Sequence, residues 1–230
     1  MKTILLCIIT SVFLISCSTN ADFETAENLL STAEQTAVEN QYPANRANPF
    51  DLKGKKLYEA LDIYCKKYDP VNSVSELTAQ IRFVSENIFQ SGSTTGRLIP
   101  FTDEMVEAIM DDPDNSMIVI VQNSVLQHYA KNKLISFLQQ LIINRQQEFS
   151  ITNNYITGYE ADVLDDAVLN TEETETILTV ASISRYSLYS EEDRKDKDWD
   201  ILIGSKNAKP FFEINEVSLI SIIALLDRLI

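Results

Sequence analysis

Three aspartates alternate as Asp196, Asp198 and Asp200, a spacing that lets a turning loop aim several carboxylate oxygens at Ca²⁺. The remaining parts of a calcium loop are missing. Ile201 stands where the turn glycine belongs, and Asn207 rather than Glu falls at the twelfth position. Arg194, Lys195 and Lys197 alternate with the acids, so a solvated charged loop is the better reading, with calcium as the alternative and no other cofactor implied. His128 is the only histidine, which excludes multi-histidine zinc sites. Its one catalytic use would be as base to Cys65 or a serine; the expectation is a helix-surface residue. In GSTTG, residues 92–96, Thr94 stands where a nucleophile elbow needs serine, and Arg97 where a phosphate loop needs lysine. The acids of DDPD, residues 111–114, are accounted for by helix capping. The chain has 34 acids, which offer many carboxylate pairs for acid–base hydrolysis but no separations between them. No residue is assigned as catalytic. Tyr186, Tyr189 and Trp199 flank the charged segment and are the candidates for anchoring a partner, the alternative being that they close over the core.

The elements that must position these residues read as helices. Five glycines in 230 residues, against a usual share of about 7%, argue against turn-rich sandwiches and barrels. Leu57, Leu61, Tyr64 or Cys65, and Tyr68 form a stripe ended by Asp69 and Pro70. Ser73 and Glu76 have capping-box spacing ahead of Leu77, Ile81, Val84 and Ile88. Residues 91–97 form the following loop. Thr102 starts the next helix, with Phe101 placed to staple onto Val106, and Asp112 followed by Pro113 starts another. No Gly or Pro follows up to Phe149, and Ile118, Val121, Val125, Leu134, Leu138, Leu141 and Arg145 fall on helical faces. The β-branched run at residues 117–121 leaves a buried strand as the alternative there. Asn170 and Glu173 open a helix carrying Ile177, Val180, Ser184 and Leu188, which dissolves into the charged residues 191–200. Asn215 caps a last helix, apolar nearly all round, that reads as buried core. Residues 201–203 and 211–214 are candidates for a small hairpin. A thin-faced helix is expected over residues 23–39. The predicted fold is all-α, an irregular helical bundle at residues 49–230 on a tether at residues 17–48.

The first residues carry an address. Lys2, the apolar run of residues 4–15 and the small Ser16 make a secretory leader, too short for a bilayer core that needs about 20 helical residues. Leu14, Ile15, Ser16 and Cys17 resemble the lipobox of bacterial lipoproteins, which implies cleavage after residue 16 and lipid on Cys17. In such lipoproteins Asp after the cysteine often marks inner-membrane retention; Ser18 follows here, so the resemblance implies the outer membrane. Asp22, Phe23 and Glu24 resemble the acidic export signal of surface-exposed lipoproteins of the Bacteroidota but start late, after residues 18–21. A plain tether is the alternative, so the facing stays open. Residues 48–62 are similar to a segment of uncharacterised helical lipoproteins of the Bacteroidota, a resemblance that implies no activity. Loss of the leader and lipidation of Cys17 leave Cys65 alone, without an intrachain disulfide and expected as a small buried group.

The net charge of −15 repels nucleic acid and anionic headgroups and steers a basic protein partner. Together these features point to a lipid-anchored envelope protein, a non-enzymatic binding or structural module with an acidic surface; the alternative is an envelope hydrolase using carboxylates with or without Ca²⁺. Metabolic labelling with a fatty-acid analogue is expected to tag the wild-type chain and not Cys17→Ser, and equal labelling of both would contradict the lipobox reading.

Overall fold

The computed structural model describes residues 43–89, 101–198, 211–213 and 215–230, the side chains of residues 196–198 excepted. These residues form eight helices and no strand: α1 (Asp51–Lys67), α2 (Val74–Phe89), α3 (Asp103–Asp111), α4 (Pro113–Asn123), α5 (His128–Ile143), α6 (Phe149–Leu164), α7 (Thr171–Asp198) and α8 (Glu216–Leu229). A 3₁₀ turn, Asn144–Gln146, follows α5. The compact unit to which they belong is Pro43–Ile230.

Local chemistry starts most of the helices. At α7 the capping box is reciprocal: Asn170 Oδ1 accepts the Glu173 N–H at 3.0 Å, and Glu173 Oε2 accepts the Asn170 N–H at 3.1 Å. The other Glu173 oxygen accepts the Gln127 N–H at the start of α5, at 2.9 Å, so one carboxylate orders two helix ends. Thr102 accepts from Met105 N–H, and Asp112 from Asn115 N–H with Pro113 at the first helical position. Phe101 and Val106 are both buried in one core. Ser73 accepts the Glu76 N–H at 3.3 Å, while the Glu76 carboxylate reaches one residue further back than a capping box requires, to the Asn72 N–H at 2.6 Å.

Helices α7 and α8 occupy the centre. Every residue from 177 to 188 and from 217 to 226 is buried. Around them α1 packs on α2, α2 on α3, α3 on α4 and α4 on α5, while α1, α6 and α8 all pack on α7. Full burial of each large apolar side chain contributes about 1.5–3 kcal/mol, so the two central helices carry much of the hydrophobic stabilisation. Small residues let α7 be approached closely. A Cβ built on Gly54 of α1 would lie 2.3 Å from Ser182 Oγ and 2.5 Å from the Ser182 carbonyl oxygen.

Residues 117–121 are helical as expected, and the strand alternative falls: Met117 and Val121, four apart, are buried while Val119 is 48% exposed, where a strand would bury all three. Several other expectations are corrected. The helical run from Asp112 breaks at Ser124 without Gly or Pro. The Ser124 hydroxyl donates to the Val121 carbonyl and accepts the Leu126 N–H, so Leu126 enters the core and Val125 is 93% exposed. Tyr68 follows the last turn of α1 and is exposed, leaving Gly54, Leu57, Ala60, Leu61 and Tyr64 as the buried face. Residues 191–198 continue α7 as helix, with a Glu192–Lys195 ion pair at i,i+3. Asn215 precedes α8 with φ 60° and makes no side-chain cap; its amide donates to the Arg145 carbonyl instead. Residues 211–213 form no strand. The helix expected at 23–39, the loop 91–97, residues 201–203 and Cys17 lie outside the described residues.

Gly54→Ala is expected to lower stability in urea unfolding by about 1–3 kcal/mol through overpacking against α7. Gly158→Ala, where a Cβ meets nothing within 4 Å, should instead raise it by about 0.5–1 kcal/mol.

Candidate functional site

Polar groups converge at two places on α7. The first is a buried cluster. Arg185, fully buried, donates from Nη2 to Asp51 Oδ1 at 2.5 Å and to Glu160 Oε1 at 2.9 Å. Glu160, fully buried on α6, also accepts from Asn45 and Asn48 side-chain amides at 2.7 Å each. Asp51 accepts from the Ser182 hydroxyl at 3.2 Å and the Tyr186 hydroxyl at 3.1 Å. Burial first, and then the Asp51 charge, push the Tyr186 hydroxyl well above its ordinary pKa. Two carboxylates facing one guanidinium are thus held by neutral donors, which offsets part of the cost of burying charge, while Arg185 Nε and Nη1 are buried without a hydrogen-bond partner. The cluster joins α1, α6 and α7, and Asp51, Glu160 and Arg185 line neither the cleft at the end of α7 nor the groove between α5 and α6.

The second place is a cleft of about 660 Å³ beside the end of α7. Tyr58, Asp62 and Cys65 form its α1 wall, the turn after α1 adds Tyr68 and Asp69, and α2 contributes Gln80. Helix α7 lines it with Ser190, Glu191, Arg194 and Lys195, and Phe211, Phe212 and Val217 complete it. Glu191 fixes the far wall: its two oxygens accept the Asn215 N–H at 2.7 Å and the Ser218 N–H at 3.2 Å, capping α8 from another helix. Arg194 donates to the Ser190 carbonyl at 3.0 Å and approaches Cys65 Sγ at 3.5 Å. Cys65 is therefore half-buried at the cleft wall, not the core residue expected, because the Arg194 side chain holds the thiol side of α1 open.

A carboxylate surface lies elsewhere, on α3 and α4. Between Arg97 and Lys131 the chain has six acids and no lysine or arginine. Glu104, Glu107, Asp111, Asp112 and Asp114 are exposed. A hydrogen bond from Ser75 holds the Asp103 carboxyl below its ordinary pKa, and the N–H at its own helix start does so for Glu104. A shallower groove between α5 and α6 is lined by Phe137, Tyr155 and Tyr159. Beside it Lys133 and Tyr129 hydrogen-bond Asp166, Lys133 the more strongly, and hold its carboxyl at about 2.

The structure disperses the sequence candidates. Tyr186 is buried against Asp51. Tyr189 packs between Tyr58 at 5.7 Å and Phe149 at 5.3 Å. Neither flanks a charged loop, since the backbone there is α7. Asp196 and Asp198 lie on that helix, which replaces the loop backbone a calcium site requires; Asp200 and Trp199 lie outside the described residues. Among the described residues no three His, Cys, Asp or Glu side chains are placed to hold a metal ion. His128 begins α5 at the surface, near the Asn132 amide at 3.2 Å. Sequence reasoning missed Arg185, although it is the only charged residue between Glu175 and Glu191, and that isolation is the signal for a buried, paired charge. No family model, curated protein or solved structure matches this chain.

Glu160→Ala is expected to cost about 3–5 kcal/mol in denaturant unfolding, because it strands the Arg185 charge. Adding Arg185→Met should cost less than the sum of the two single changes, and strict additivity would show that the pair is uncoupled.

Proposed function

We propose that the chain is a lipid-anchored protein of the bacterial cell envelope that works without catalysis, as a binding module whose acidic surface captures a basic protein partner. The leader, closed by Leu14, Ile15, Ser16 and Cys17, supports the anchoring, and Ser18 favours the outer membrane. Among the described residues no helix is long and apolar enough to cross a membrane, so a lipid is the attachment this reading relies on. Anchoring then needs more than one acyl chain, since a single chain binds membranes only marginally.

The observation that carries the binding reading is the α3–α4 surface. Its exposed carboxylates face no cation from their own segment, and the hydrogen bond from Ser75 to Asp103 and the helix-start N–H at Glu104 lower those two carboxyls further below their ordinary pKa. Such a one-signed surface raises the encounter rate with a basic partner and loses that advantage as salt screens it. Val119 and Val125 are exposed on α4 and just beyond it, which adds apolar area on the same segment.

Replacement of Glu104, Glu107 and Asp111 by lysine should slow association with the envelope partner about tenfold or more at low salt and flatten its salt dependence. The measurement is capture by the immobilised full chain across a salt series. A partner held equally by wild type and the triple variant would overturn the proposal.

A further inference from the structure

The cleft beside the end of α7 is separate from that surface, since none of its lining residues belongs to α3 or α4. Its volume of about 660 Å³ is that of a small-molecule site. Tyr58, Tyr68, Phe211 and Phe212 contribute to the wall, and aromatic faces attract cations. Asp62, Asp69, Glu191, Asp193 and Glu213 line it against Lys66, Arg194 and Lys195. Two of those cations are engaged: Lys66 with Asp62 at 2.6 Å, and Lys195 with Glu192 at 3.5 Å and the Asn215 amide oxygen at 3.2 Å. Arg194 is folded back onto the Ser190 carbonyl and the Cys65 thiol.

An independent observation comes from α2. Gln80 lines the cleft, is 2% exposed, and its side-chain carbonyl oxygen has no hydrogen-bond partner. A buried acceptor without a donor destabilises a fold, and leucine would fill the same space without that loss. Its presence at the wall of a cavity is explained when a ligand supplies the donor.

We infer that the cleft binds a small organic cation, a primary amine with an aromatic or apolar body. The ammonium lies on the carboxylate-rich wall and donates to the Gln80 side-chain oxygen through a turn of the amide toward the cavity, while the body packs on Tyr58, Tyr68 and Phe212. The event is recognition alone, with no bond made or broken. It does not depend on the protein partner proposed above.

Cys65 reports on occupancy, because it lines the cleft and falls in a tryptic peptide, residues 57–66, that contains no other cysteine. The full chain in detergent is alkylated with iodoacetamide in the presence of tryptamine or indole-3-propionate, which share a ring system and differ in charge. At twice its dissociation constant tryptamine should slow Cys65 alkylation about threefold and raise the thermal midpoint, while the propionate does neither. Gln80→Leu should raise the midpoint of the unliganded protein and remove the protection. Tyr68→Leu, which keeps an apolar contact on Tyr64 but removes the aromatic face from the wall, should change the midpoint little and weaken protection several-fold, which decides the matter if the Gln80 variant does not fold. Equal or better protection by the propionate, no protection by tryptamine at about 10 mM, or wild-type protection in either folded variant overturns the inference.

Discussion

The guanidinium of Arg185, fully buried between the carboxylates of Asp51 and Glu160, is the constraint on which the rest of the fold depends. A charge in that position is tolerated only while its partners stay in place, and those partners come from α1 and α6. The cluster therefore sets the register of three helices at once. Asn45 and Asn48, through Glu160, bring the segment before α1 into the same arrangement. Apolar burial along residues 177–188 supplies the larger share of stabilisation, but it is non-directional; the ion cluster supplies direction. The close approach of Gly54 to Ser182 is possible only in that register.

The same helix leads from packing toward recognition. Past its buried middle, α7 emerges with Glu191 capping α8 and Arg194 beside Cys65, so the walls of the cleft are fixed by the core rather than by a separate scaffold. The α3–α4 surface has a different origin. Asp103, Glu104, Asp112 and Asp114 start helices, where they complement the backbone dipole, while Glu107 and Asp111 lie further along α3, and no cation of that segment answers them. Helix-start charge thus supplies four of the six acids of a negative face that long-range attraction can use.

Features encoded within a few residues were legible in the sequence. The all-α class, the starts at Thr102, Asp112 and Asn170, and the buried character of α8 follow from spacing, capping and scarce glycine, all of which act locally. Features encoded by distant partners were not. Glu191 reads as part of a charged loop until α8 is seen to lie within its reach, and Asn215 reads as a cap because its partner, the Arg145 carbonyl, is 70 residues away. Val125 sits on the helical pattern but is turned outward by the Ser124 hydroxyl. The cleft assembles from five separate parts of the chain, and no motif marks such a combination.

Native-state hydrogen exchange tests most directly whether α7 and its buried charge organise the fold. If they do, the amides of residues 177–188 exchange only through global unfolding, with opening free energies equal to that from denaturant titration. Exchange of those amides through a smaller opening, while α5 and α8 stay protected, would contradict the account.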